Sequence, residues 1–162
     1  GLGDVYKRQE FVNKEGLFRA VLDRYISRFA AKHEALLFDE EKSVDRALRD
    51  YFTAVATCFT SKETPAGCFM INTSAALAAA STDIANTVKS RHAMQEQTLT
   101  QFLQQRQLRG ELPAEGDVRQ LAQFLNCILQ GMSIGAREGA DFTKIMQIAE
   151  TTLRLWPQVL QR

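Results

Sequence analysis

Three cysteines and two histidines are the chain's most reactive side chains, and their spacing limits what they can do. Cys58, Cys68 and Cys127 are odd in number and show no Cys-x-x-Cys spacing of a zinc site or a redox pair. They read as reduced thiols of a cytoplasmic protein, not as a disulfide framework. His33 and His92 are far apart and belong to no His-Glu-x-x-His run. No Ser-His-Asp set, P-loop or dinucleotide glycine fingerprint accompanies them. The expectation is a protein that is not an enzyme, uses no cofactor and holds no metal. Cys58 and Cys127 lie on amphipathic faces and read as small core residues. Cys68 differs: it follows a glycine-containing loop and opens a short apolar helix, where the helix dipole favours a thiolate. It is the candidate redox sensor, with plain burial as the alternative.

A second set of residues suits binding rather than catalysis. Ile84, Val88, Leu99, Phe102 and Leu103 form an apolar stripe on a long helical stretch from Thr82 to Arg109. The stripe has a gap, filled by Arg91 or His92 and then Gln95. An enclosure that is mostly apolar with a few polar groups is what a small organic ligand needs. The candidate ligand-binding residues are Phe59, Phe69, His92, Gln95, Phe102 and Phe124, with Phe52 and Met94 as further wall. The alternative is that His92 and Gln95 lie at the surface or are hydrogen-bonded in an ordinary core.

The elements that must position these residues are all helical. Leu17, Phe18, Val21, Leu22, Tyr25, Ile26 and Phe29 recur at a period of about 3.6 residues, with Asn13 as N-cap and a fade near Lys32. A connector from His33 to Lys42 follows. Ser43 then caps a helix whose face is Val44, Ala47, Leu48, Tyr51, Phe52, Val55 and Phe59, closed by the Thr60–Gly67 loop. A nearly all-apolar helix spans Cys68 to Ala80, and Ser81-Thr82-Asp83 starts the long one, which Gly110 stops. Asp117 and Asp141 cap the last two helices. Pro157 should end or kink the final one. No stretch alternates at period two, so the fold class is all-α, a bundle of about six helices. The first nine residues, GLGDVYKRQ, show no helical period and resemble translated sequencing-adapter sequence. Residues 1–10 are read as a non-native or disordered leader.

The run Phe11-Val12-Asn13-Lys14-Glu15-Gly16-Leu17-Phe18 resembles the junction, in TetR-family transcriptional regulators, where the recognition helix ends and the linking helix begins. Gly110-Glu111-Leu112-Pro113, with Asp117, Leu121-Ala122, Phe124-Leu125 and Gln130-Gly131, resembles the approach to that family's penultimate helix. Gly67-Cys68-Phe69-Met70-Ile71-Asn72 resembles the start of a short helix in one branch of it. The resemblance implies a homodimer that releases operator DNA when a small apolar or aromatic effector binds. Residues 11–32 would be the end of the DNA-binding head and the linking helix, and residues 33–162 the ligand-binding and dimerisation domain. Lys14 would contact a DNA phosphate, while Phe11 would pack. Some relatives of this branch sense electrophiles or oxidants through a cysteine, which bears on Cys68.

The resemblance also implies a dimer built on the last two helices. Gly131, Ser133, Gly135 and Ala136 leave little bulk on one; Ile145, Ile148, Thr152, Leu155 and Trp156 offer an apolar band on the other. The interface residues expected are Gly131, Gly135, Ile145, Ile148, Thr152, Leu155 and Trp156, the alternative being that they fill the intrachain core. The helix-turn-helix of the family is expected to lie upstream of this sequence, so operator DNA would be a partner only of the full-length protein. A net charge of +1 offers little non-specific attraction to nucleic acid. There is no long apolar run, so no membrane partner is expected. The competing reading is a helical protein-interaction module without a small ligand.

Overall fold

The computed structural model describes residues 2–72 and 81–160. Six α-helices lie wholly among them: α1 (Leu2–Tyr25), α2 (Ala31–Leu37), α3 (Val44–Phe59), α4 (Thr82–Leu108), α5 (Val118–Arg137) and α6 (Phe142–Val159). One π turn, Ile26–Ala30, joins α1 directly to α2. No strand occurs among the described residues. The all-α reading is therefore the observed fold class.

The helix starts follow from local chemistry. Ser43 Oγ accepts the Arg46 N–H, Ser81 Oγ the Ile84 N–H, Asp117 Oδ1 the Gln120 N–H and Asp141 Oδ1 the Lys144 N–H. Each side-chain oxygen satisfies one of the amides a helix start leaves without an intrahelical acceptor. Gly110 closes α4 at φ +76°, a conformation that a Cβ would strain.

Three expectations are corrected. Asn13 is not a cap: α1 starts at Leu2 and runs through it. Residues 5–12 contain neither proline nor glycine, so nothing there stops a helix. The expected fade near Lys32 is also too early. The π turn and α2 carry the helical path to Leu37, and only residues 38–43 connect it to α3. Third, Cys127 is exposed rather than a core residue. The inward face of α5 is Leu121, Ala122, Leu125, Leu129 and Met132, and position 127 falls on the other side. The expected helix from Cys68 to Ala80 is described only over residues 69–72, which are helical; residues 73–80 lie outside the described residues. So do the side chains of the expected leader and of Phe11, Val5 excepted. Pro157 stands inside α6, which ends two residues later at Val159.

Helix α3 is the central element, packing against α2, α5 and α6, while α4 lies along α5. Phe52, Leu48, Phe102, Leu103, Leu121, Leu125, Leu129, Met132 and Ile145 are fully buried where these helices meet. The buried side chain of Arg106 ties the other end of the molecule together. Its guanidinium donates to the backbone carbonyls of Leu37, Asp39 and Lys42 and to Glu111 Oε1. Glu111 Oε2 in turn accepts the Val44 N–H at 2.7 Å. Burial opposes ionisation of Glu111. The hydrogen bonds from Arg106 and Val44 outweigh it and hold the carboxyl below the usual range. The end of α2, the start of α3 and the end of α4 are thus clamped at one point.

Candidate ligand pocket

The most apolar concavity among the described residues lies between the first helical segment and the chain leaving α3. It encloses about 530 Å³, within the range of small-molecule sites. Val21, Arg24 and Tyr25 from α1 and Arg28 and Phe29 from the π turn form one wall. Cys58, Thr64, Pro65, Gly67, Phe69 and Asn72 form the other.

The aromatic side chains make a connected surface. Phe69 stacks on Phe18 with ring centroids 5.8 Å apart, and Tyr25 lies 5.8 Å from Phe69 and 5.6 Å from Phe29. The Arg28 guanidinium sits 5.4 Å over the Phe29 ring. Beneath this surface the Tyr25 hydroxyl donates to Cys68 Sγ at 3.6 Å. Burial, reinforced by Cys68, raises the Tyr25 pKa well above its usual range, so the phenol stays protonated. Burial likewise pushes the Cys58 thiol up, with Cys68 adding to the effect.

Gly67 sets the shape of the second wall. Its φ is +82°, and a Cβ there would lie 2.6 Å from the Ser133 carbonyl oxygen. The Ser133 hydroxyl then accepts the Cys68 N–H at 2.6 Å. The Gly67 N–H donates back to the Phe59 carbonyl, and Asn72 Nδ2 to that of Ala66. Only glycine lets the loop press this closely onto α5.

The residues singled out from sequence are distributed as follows. Phe69 lines the concavity. Phe59 and Phe102 are buried in the core, the latter edge-on to Phe38 at 6.2 Å and under the Arg106 guanidinium at 5.3 Å. Phe124 packs, half-buried, against that core. His92 and Gln95 are half-buried on α4. Gln95 Nε2 donates to the Tyr51 hydroxyl at 3.5 Å, whereas His92 Nε2 is buried without a hydrogen-bond partner. Burial lowers the His92 pKa from its ordinary 6.5. Cys68 is buried beneath Tyr25. Val21, Tyr25 and Phe29 read from sequence simply as an apolar face. Arg24 and Arg28 carried no signal, because solvated arginines are ordinary on a helix.

Lys14 is exposed on α1, and the neighbouring Glu15 accepts a hydrogen bond from the Ser81 hydroxyl. Of the expected interface residues, Gly131 is exposed with open space where a Cβ would stand, and Ile148 and Leu155 are exposed. Gly135 lies against Ile145, and Ile145, Thr152 and Trp156 are buried within the chain. Ser133 and Ala136, read as interface small residues, also face inward. Ile134, which the sequence reading passed over, is 47% exposed and adds to the outward apolar face of α5.

Residues 43–151 match the family model described as "Tetracyclin repressor-like, C-terminal domain". The chain is 72% identical over 152 residues to the HTH-type transcriptional repressor ComR of Escherichia coli (strain K12), covering 94% of this chain and 72% of that protein. The fold matches a cysteine mutant of the TetR family transcriptional regulator CifR, complexed with 26-bp double-strand operator DNA. There the TM-score is 0.82 at 23% identity, over 89% of this chain and 75% of that one. A further cysteine mutant of CifR on the same length of operator DNA gives a TM-score of 0.81 at 24% identity, over 89% and 74% of the two chains. The chain belongs to the TetR family of transcriptional regulators.

Proposed function

We propose that this chain is the effector-sensing and dimerisation portion of a TetR-family transcriptional repressor, and that a small, largely apolar effector binds between α1 and the segment from Cys58 to Asn72. The observation that carries this reading is the position of the concavity. One of its walls is the end of α1 together with the π turn. A ligand there contacts the element that the family resemblance assigns to joining the DNA-binding head to the sensing domain. Such a ligand shifts the protein toward whichever arrangement of that helix it binds more tightly, and operator affinity changes by linkage. In this reading Lys14, exposed on the same helix, meets a DNA phosphate in the DNA-bound form, as the family resemblance implies. The dimer uses the outward apolar residues Gly131, Ile134, Ile148 and Leu155. Among the described residues no helix is long and apolar enough to cross a membrane, which fits a regulator working in the cytoplasm.

The test is a thermal-shift screen of naphthalene and biphenyl derivatives against the chain and against Val21→Trp, which fills the concavity from an exposed helix position. Binders should raise the melting temperature of the parent by mass action and lose that effect in the variant. Equal shifts in both proteins would place binding elsewhere.

A further inference from the structure

The ligand wall carries a charge pattern that narrows the chemistry of what fits. Eleven residues line the concavity; two are cations, Arg24 and Arg28, and none is an anion. The two arginines are four residues apart and so share one face of the helical path. Neither forms an ion pair among the described residues. Asp23, the acid next to Arg24 in sequence, is turned to Arg91 at 3.6 Å. The rest of the lining is dominated by three aromatic rings, Tyr25, Phe29 and Phe69, with Val21 and Pro65. Arg28 is held over Phe29, so its guanidinium stands at the edge of the aromatic surface.

We propose that the site selects an aryl carboxylate, its ring lying on Tyr25, Phe29 and Phe69 and its carboxylate received at the mouth by Arg24 and Arg28. This rests on the concavity being the effector site. A guanidinium fork matches a carboxylate in shape and charge, and the flat ring matches the aromatic wall. A cation of the same size would meet two like charges and no counter-charge. Because both arginines are exposed, the attraction is screened by salt. It acts as a preference added to the apolar contact rather than as the main source of affinity.

Calorimetry with naphthalene-2-carboxylate and its neutral isostere naphthalene-2-carboxamide tests this on the dimeric protein. The acid is expected to bind about tenfold more tightly than the amide at low salt, with the gap closing as sodium chloride is added. In the double variant Arg24→Gln/Arg28→Gln the acid should weaken about tenfold, while the amide is unchanged and the melting temperature of the unliganded protein stays put. Equal binding of acid and amide, both abolished by Val21→Trp, would overturn the charge preference and leave the effector site standing. Binding of the acid that survives the double variant would also overturn it. Failure of both compounds to bind would overturn the proposal and the effector-site reading together.

Discussion

The His92 imidazole is a polar group in an apolar stripe, and its environment sets a pH dependence. Its Nε2 is buried without a partner, and burial lowers its pKa below 6.5. His33, the only other histidine, is shifted the same way by the same cause. The unfolded chain therefore binds more protons than the folded one as pH falls through about 6.5, so folding stability falls with it. Glu34 is shifted upward by burial and works in the opposite sense, but in the more acidic carboxylate range. The melting temperature should drop between pH 7.5 and 5.5, and His92→Gln should flatten that slope. An unchanged slope in the variant would show that His92 does not carry it. The sequence pointed to His92 and Gln95 because they interrupt the apolar stripe of α4. It could not show that Gln95 is engaged by the Tyr51 hydroxyl from another helix.

At the scale of elements, caps and stops were the most legible features. Ser43, Ser81, Asp117 and Asp141 bond the amides expected of them because capping is local chemistry, complete within three residues. The length of the first helical segment was not legible. Asn13 has cap chemistry, yet a cap also needs non-helical backbone, and nothing before it breaks the helix. The concavity was illegible for a different reason: it is made where Gly67 lets a loop press on Ser133, across 66 residues of chain. Arg106 shows the same limit. In sequence it is one more arginine on a polar helix; in the fold it is 3% exposed and serves four acceptors. Arg106→Leu strands three carbonyls and the Glu111 carboxylate, and should cost about 3 kcal/mol in urea unfolding. A loss under about 1 kcal/mol would mean that water replaces the guanidinium at little cost.

For the whole molecule, two surfaces carry the proposed function: the outward apolar face of α5 and α6, and the concavity on α1. Gly131 offers a clean probe of the first, because a Cβ there would meet nothing within 4 Å among the described residues. Gly131→Phe should keep its helical circular dichroism, since replacing a mid-helix glycine removes a helix-weakening residue. In sedimentation equilibrium the parent should run as a dimer and the variant as a monomer. A dimer of parental strength in the variant would move the interface elsewhere.

We propose that the ligand site and the linking helix are one structure. Hydrogen exchange followed by mass spectrometry reads this directly, with the protein saturated by whichever of naphthalene-2-carboxylate and its amide binds more tightly. Ligand contact should slow exchange in peptides covering Val21–Leu37 and Thr60–Asn72, while the Phe124 region of α5 is unchanged. Protection confined to α4 and α5 around His92, Phe102 and Phe124, with the linking helix unaffected, would overturn this reading of the site.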